Sequence, residues 1–349
     1  MKQLLAFFLL VPSLLAAQSP ADRARHFLDS LRRAQDIPGL SVAVGWKGAV
    51  RYAEGFGMAD AENQVPVTPS SRFRVGSVSK SITSIALGQL IQSGKLNPEA
   101  PLHITGMQAG IQPFTVRQLA THTAGIRHYG PRDGLDCPRH FDRVKDGLVI
   151  FLSDSLLFEP GTAFNYSSYG YNLLSYVMEE AAGKPFLTCL QESVFDPLGM
   201  RQTCADRVDS VITGRVRFYE HDKQRHLVNA PLVDNSYKWA GGGLLSTPSD
   251  LVTMCLGISN ILRSDTRQLL FTPQLLKNGK NTGYAYGWRI GKDTGGRAIR
   301  HHGGVSEGGR TFLLVYPEHD LVLAVAANMS GVSINLPEME TLASFFLSK

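Results

Sequence analysis

The chain has 349 residues, 43% of them hydrophobic and 19% charged. That is enough for one large core or two modest ones, and it excludes a disulfide-dependent miniprotein or a disordered tail. Lys and Arg number 35 against 30 Asp and Glu, and the resulting net charge of +5 is spread without a basic run or a basic–aromatic tract. A nucleic-acid groove is therefore set aside. The 34 glycines and 9% aromatics suit an α/β or α+β enzyme with many tight turns.

In chain order, residues 1–17 open with one basic residue, Lys2, followed by the apolar run Leu4–Val11 and the small residues Ala16 and Ala17. This is the pattern of a cleaved export signal, and the absence of arginines argues against a mitochondrial presequence, the alternative destination. No later apolar stretch approaches membrane-spanning length. Ala24–Gln35 reads as a short helix stopped at Pro38-Gly39. Leu40–Trp46 and Val50–Phe56 form a strand–turn–strand pair around Lys47-Gly48. Val78, Ile82, Ile85, Ala86 and Leu90 recur at helical spacing, predicting a long helix that ends near Gly94.

From Asn97 to about Asp234 the pattern breaks into short helices and Pro/Gly-rich loops. Thr247-Pro248-Ser249-Asp250 is a helix start. The tail carries four β-rich runs, Tyr284–Ile290, Ala298–His302, Arg310–Tyr316 and Leu321–Asn328, and then a closing helix at Pro337–Phe346. Strands joined by turns this short are antiparallel. The economical assembly is one antiparallel sheet built from both chain ends (23–95 and 248–349) and flanked by helices. A mostly helical region, about 96–247, is inserted between them, with a site in the cleft between the two parts. Cys137, Cys189, Cys204 and Cys255 allow three full pairings or four free thiols.

Three clusters could carry chemistry. In Gly76-Ser77-Val78-Ser79-Lys80, Ser77 and Lys80 stand one helical turn apart at a helix start, a hydroxyl beside an amine that can take its proton. The helix N-terminus also offers N–H groups to an oxyanion. Tyr166 and Ser168 lie on a loop held by the following amphipathic helix. In Arg300-His301-His302-Gly303-Gly304, strand alternation lets only one histidine face a given cleft, which argues against a metal grip. No H-E-x-x-H occurs, so no metal and no cofactor is expected.

Together, and in this order, the three clusters resemble the serine β-lactamase and penicillin-binding-protein superfamily, in its class-C-like branch. S-x-x-K falls on Ser77 and Lys80, the Y-x-N element on Tyr166-Ser167-Ser168, and K-T-G on His301-His302-Gly303. The likeness runs from about Arg23 to the C-terminus. It extends through His122–Tyr129 and Asn229–Gly243 toward a mitochondrial, filament-forming serine-protease branch.

The resemblance implies a β-lactamase/transpeptidase-like fold and a serine hydrolase that works through an acyl-enzyme on peptide or ester bonds, with a peptide or small acyl compound as its partner. Ser77 is then the nucleophile, and Lys80 with Tyr166 (as phenolate or relay) handles the proton. The N–H groups of Ser77 and Gly304 form the oxyanion hole, and Ser168, His301 and Gly303 bind substrate. Ser168 stands where the pattern has Asn and His301 where it has Lys, so anionic substrates should be held less tightly. A D-alanyl-D-alanine carboxypeptidase or weak β-lactamase is the alternative enzyme, and a non-catalytic scaffold the alternative of another class. Assembly state, filaments included, stays open.

Overall fold

The computed structural model describes residues 18–107, 112–130, 133 and 137–347; the leader at 1–17 lies outside them. Helix α1 (Pro20–Ala34) starts at Ser19, whose hydroxyl accepts from the Asp22 N–H, with Pro20 at the first turn. Strands β1 (Gly39–Trp46), β2 (Ala49–Asp60) and β3 (Val65–Pro66) follow, and then helix α2 (Val78–Gln92). Helix α3 (Ser168–Ala182), as long as α1 and α2, precedes α4 (Pro248–Ile261) and α5 (Ser264–Phe271). Strands β4 (Arg289–Lys292), β5 (Ala298–Ser306), β6 (Gly309–Tyr316) and β7 (Leu321–Ala327) and helix α6 (Leu336–Ser344) complete the chain.

The strands form one seven-stranded antiparallel sheet in the order β4-β5-β6-β7-β1-β2-β3. Its centre is the pairing of β7 with β1, Val42 opposite Val325 and Leu40 opposite Ala327, so the two ends of the chain meet there. Strand β1 is buried on both faces. Leu40, Val42 and Val44 pack with Leu28 of α1 and Leu342 of α6, whereas Ala43 packs on the opposite side with Ile82 of α2 and Val252 of α4. No described residue between β3 and β4 adds a strand to this sheet.

The fold is the α+β architecture expected from the sequence, with one local correction. Tyr284–Ile290 is not a strand: Gly283 and Gly287 adopt φ of +67° and +71°, so Tyr284, Tyr286 and Trp288 are buried from an irregular segment and β4 starts only at Arg289. All four cysteines are free thiols.

A buried ion pair ties the segment just before α2 to residues 206 and 235. Arg74 Nε donates to Asp206 Oδ2 at 2.7 Å, and Asn235 donates to the same oxygen at 2.7 Å. Arg74 also donates to the Glu307 carbonyl and lies 3.9 Å over the Phe218 ring. Removing one partner of such a pair strands a buried charge at roughly 3–5 kcal/mol, whereas removing both is far cheaper. Arg74→Met is therefore expected to lower unfolding free energy in urea by about that amount, and Arg74→Met/Asp206→Leu by markedly less. Equal losses in the single and double variants would contradict this account.

Candidate active site

The site lies in a cleft of about 480 Å³ lined by Ser77, Tyr166, Ser168, Lys238, Gly241 and His302 among others. Its floor is the first turn of α2. Gly76 takes φ +50°, which a side chain would oppose, and delivers Ser77 to the N-cap of α2. The Ser77 hydroxyl makes no capping bond and is left for other partners. One turn on, Lys80 is wholly buried; its amine donates to the Gly241 carbonyl and lies within hydrogen-bond distance of two hydroxyls, Ser77 Oγ at 3.3 Å and Ser168 Oγ at 3.0 Å. Burial, reinforced by the Lys238 charge, pushes the Lys80 pKa well below its ordinary 10.5, so the amine is held ready to accept a proton.

Tyr166 lies against this amine, with Lys80 Nζ 4.8 Å from its ring centre. Its hydroxyl is shut off from solvent without a hydrogen-bond partner. Burial raises its pKa, and the Ser77 hydroxyl opposes that rise only in part. Burial thus favours the neutral phenol over a resting phenolate.

Two histidines that the sequence did not single out as site residues fix the loop carrying Tyr166. His122 Nδ1 accepts from the Ser167 N–H and His128 Nδ1 from the Ser168 N–H, each at 3.1 Å. Burial, with the Lys80 charge next, keeps both imidazoles neutral, His128 being pushed down to about 4. Ser167 caps α3 by accepting from the Gly170 N–H and donates to the Arg127 carbonyl.

The third cluster requires corrections, which follow from the parity of β5. Side chains at 302 and 304 face α2. His302 is buried, its Nε2 meets the Tyr284 hydroxyl at 2.9 Å, and its ring centre is 6.2 Å from that of Tyr166. Its Nδ1 lies 2.8 Å from the Gly303 carbonyl, which can only accept, so Nε2 is the acceptor from Tyr284. A Cβ on Gly304 would stand 1.9 Å from the Val75 carbonyl and 3.3 Å from Ser77 N, so only glycine permits this approach. His301 instead stacks on Phe312, and Gly303 faces Phe312 and Arg310, on the other side of the strand, and both residues line the cleft from there. The histidine beside Tyr166 is thus His302, not His301, and His302-Gly303-Gly304 occupies the register expected for His301-His302-Gly303.

Backbone parity moves the second oxyanion donor as well. Ile290 N–H bonds to the Gly283 carbonyl, away from β5, so the hydrogen-bonded pair between β4 and β5 is Arg289–His301. Residues 303 and 305 then also point their N–H and C=O groups to that edge, which lies open beyond β4, while 302 and 304 bond to β6. The Gly304 N–H is spent in the ladder. The Val305 N–H faces the cleft, with its nitrogen 2.7 Å from where a Cβ on Gly76 would be.

The cleft also carries cations. Lys238, its pKa pushed down to about 7 by burial and then by Arg74, lines it together with exposed Arg289 and half-buried Arg310. They place positive charge around a cleft in which a histidine stands where the family pattern has lysine. No group of three metal-ligating side chains occurs among the described residues.

The β-lactamase family model matches residues 23–334, and the chain belongs to that family. It is a serine β-lactamase-like hydrolase. The bovine mitochondrial serine beta-lactamase-like protein LACTB is 28% identical over 445 aligned residues, covering 93% of this chain and 79% of the relative. The D-aminopeptidase of Gluconobacter oxydans is 27% identical, covering 85% of this chain and 57% of that protein. The fold is shared with the octameric penicillin-binding protein homologue from Pyrococcus abyssi (TM-score 0.80, 24% identity, 93% of this chain and 77% of that one). It is shared equally with the D-amino acid amidase from Ochrobactrum anthropi (TM-score 0.80, 20% identity, 94% and 99%).

The folded protein depresses the Lys80 pKa, so over the range below 10.5 the unfolded chain binds the extra proton and stability falls as pH falls. Lys80→Met should raise Tm, more at about pH 6 than at about pH 9, while lowering acylation by roughly 10²–10⁴. A Tm gain independent of pH would show that the amine is not held neutral. For the backbone donor, Val305→Pro should fold, since its N–H is outside the ladder, yet lose roughly 10²–10³ in kcat. Activity within about threefold of the parent would remove Val305 from the oxyanion site.

Proposed function

We propose that this hydrolase cleaves peptide, amide or ester bonds through an acyl-enzyme on Ser77. The observation that carries the reading is the wholly buried Lys80 amine, hydrogen-bonded to both Ser77 and Ser168 with no carboxylate to hold its charge. As Ser77 Oγ attacks the carbonyl carbon, its proton passes to the neutral Lys80 Nζ, and the carbonyl oxygen takes up negative charge between the Ser77 and Val305 N–H groups. Collapse of this intermediate breaks the bond to the leaving nitrogen or oxygen, which receives the proton from Lys80 through the Tyr166 hydroxyl. Water then attacks the ester, giving its proton to Lys80, and the bond to Ser77 Oγ breaks as Lys80 returns that proton to it, which restores the hydroxyl and the neutral amine. His302, through Tyr284, and the His122–His128 pair hold Tyr166 and Ser168 in place.

The relatives described as a D-aminopeptidase and a D-amino acid amidase make small amides the first substrates to try. The cleft cations favour a second reading within the same chemistry, cleavage next to a carboxylate-bearing residue as in a D-alanyl-D-alanine carboxypeptidase or a weak β-lactamase. Arg289, at the cleft mouth 5.9 Å from the Tyr166 ring centre, is the group that would hold that carboxylate.

We also read residues 1–17 as an export signal, with mitochondrial targeting as the alternative that the mammalian relatives suggest. N-terminal sequencing of the mature protein should begin near Gln18, and a start at Met1 would reject cleavage.

A fluorophosphonate should add one stoichiometric mass increment to the parent and none to Ser77→Ala. Labelling of both would disprove Ser77 as nucleophile. Among turned-over substrates, Arg289→Ala should lower kcat/KM for carboxylate-bearing peptides and nitrocefin by roughly ten- to a hundredfold and leave a p-nitrophenyl ester nearly unchanged. An equal loss on all three would deny Arg289 a selecting role.

A further inference from the structure

Away from the cleft, a second cavity of about 340 Å³ opens between α4, α5 and the sheet face that carries β5 and β6. Its walls are mixed: Leu256, Phe271, Trp288, Val315 and Val322 supply an apolar part, and two guanidinium groups project beside it, Arg267 from α5 and Arg300 from β5. Among the described residues neither forms an ion pair, and the Arg267 Nε is buried without a partner. Arg300 lies 3.9 Å over the Phe271 ring, and burial lowers its pKa, with the Arg267 charge lowering it further. The acid on the lining is Asp320, at the turn into β7, and the thiol is Cys255, whose pKa burial raises. Two neighbouring cations against one rim carboxylate leave an uncompensated positive charge in a partly buried, partly apolar chamber, an arrangement that costs stability unless an anion completes it.

We propose that this cavity is a binding site for a small amphipathic anion, a carboxylate or phosphate monoester on a short apolar chain, whose head group is gripped by Arg267 and Arg300 and whose tail lies against Trp288 and Phe271. Both guanidiniums present planar N–H forks suited to an oxyanion head. The site is separate from the cleft but shares a wall with the catalytic helix. The Trp288 indole N–H donates to Ser84 at 3.1 Å, and the preceding Gly287 carbonyl accepts from the Ser81 hydroxyl at 2.6 Å, next to Lys80.

The test is titration of the full chain with octanoate and octyl phosphate, against n-octanol and inorganic phosphate, followed by calorimetry and by tryptophan fluorescence. At least one of the two amphiphiles should bind one per chain, and their ranking identifies the head group. Octanol and inorganic phosphate should each bind at least roughly tenfold more weakly, because each lacks half of the recognition. Arg267→Gln and Arg300→Gln should each weaken the amphiphile roughly tenfold or more, Arg300→Lys should restore part of the loss, and Trp288→Phe should remove the fluorescence signal. Arg267 stands on a half-exposed helix, so its variant carries the test if Arg300→Gln fails to fold. Absence of saturable binding below about 10 mM, inorganic phosphate binding as tightly as the amphiphiles, or loss of binding in Arg289→Gln with none in Arg267→Gln would overturn the proposal.

Discussion

An amine without water and without a counter-charge is the constraint that organises this molecule. Lys80 has three oxygen neighbours, two of them hydroxyls and one a backbone carbonyl, and an aromatic ring beneath it, but no carboxylate. Such a group is tolerable only when neutral, and it stays neutral only while solvent is kept out. The surroundings are built accordingly. Helix α2 is enclosed on every side, so that its small polar residues spend their hydroxyls on neighbouring backbone: Ser81 on Gly287, Thr83 on Ala240. The enclosure that makes Lys80 a base also destabilises the fold, and the large core above and below the sheet is what offsets it.

The same exclusion of water governs the histidines. His122, His128 and His302 sit around the amine, each kept neutral chiefly because burial would deny a charged ring its hydration. Their work is directional. Each offers a lone pair to a donor, to the Ser167 N–H, the Ser168 N–H and the Tyr284 hydroxyl in turn, and so fixes the loop and the phenols that frame the nucleophile. Positive charge reaches the cleft from elsewhere, from Arg289, Arg310 and Lys238 at its walls.

Features with a local cause were legible in the sequence. The Ser77–Lys80 spacing needs only one helical turn, and short turns between tail strands force antiparallel pairing, so the α+β class and the meeting of the two chain ends could be read directly. What failed was whatever depended on a partner distant in sequence. Whether His301 or His302 faces Tyr166, and whether Gly304 or Val305 points its N–H outward, is decided by the Ile290 bond to Gly283, which fixes the parity of β5. His122 and His128 carried no signal of their own, because the groups they hold lie some forty positions onward. Arg267 and Arg300, likewise, are ordinary residues until the fold brings them into one chamber.

The pairing of β1 with β7 has a consequence for how the protein is made. Ser77 and Lys80 leave the ribosome early, but the strand edge that faces them, with Val305, belongs to the tail. Until that edge arrives, the first sheet strands lack their central partner and the helix bearing the nucleophile lacks a roof. Contacts between such distant positions are slow to form, since the intervening chain must first be looped back. A nascent chain truncated anywhere before β5 therefore carries Ser77 and Lys80 without the Val305 edge that faces them. The cleft is completed only near the end of synthesis, when the tail strands join the sheet.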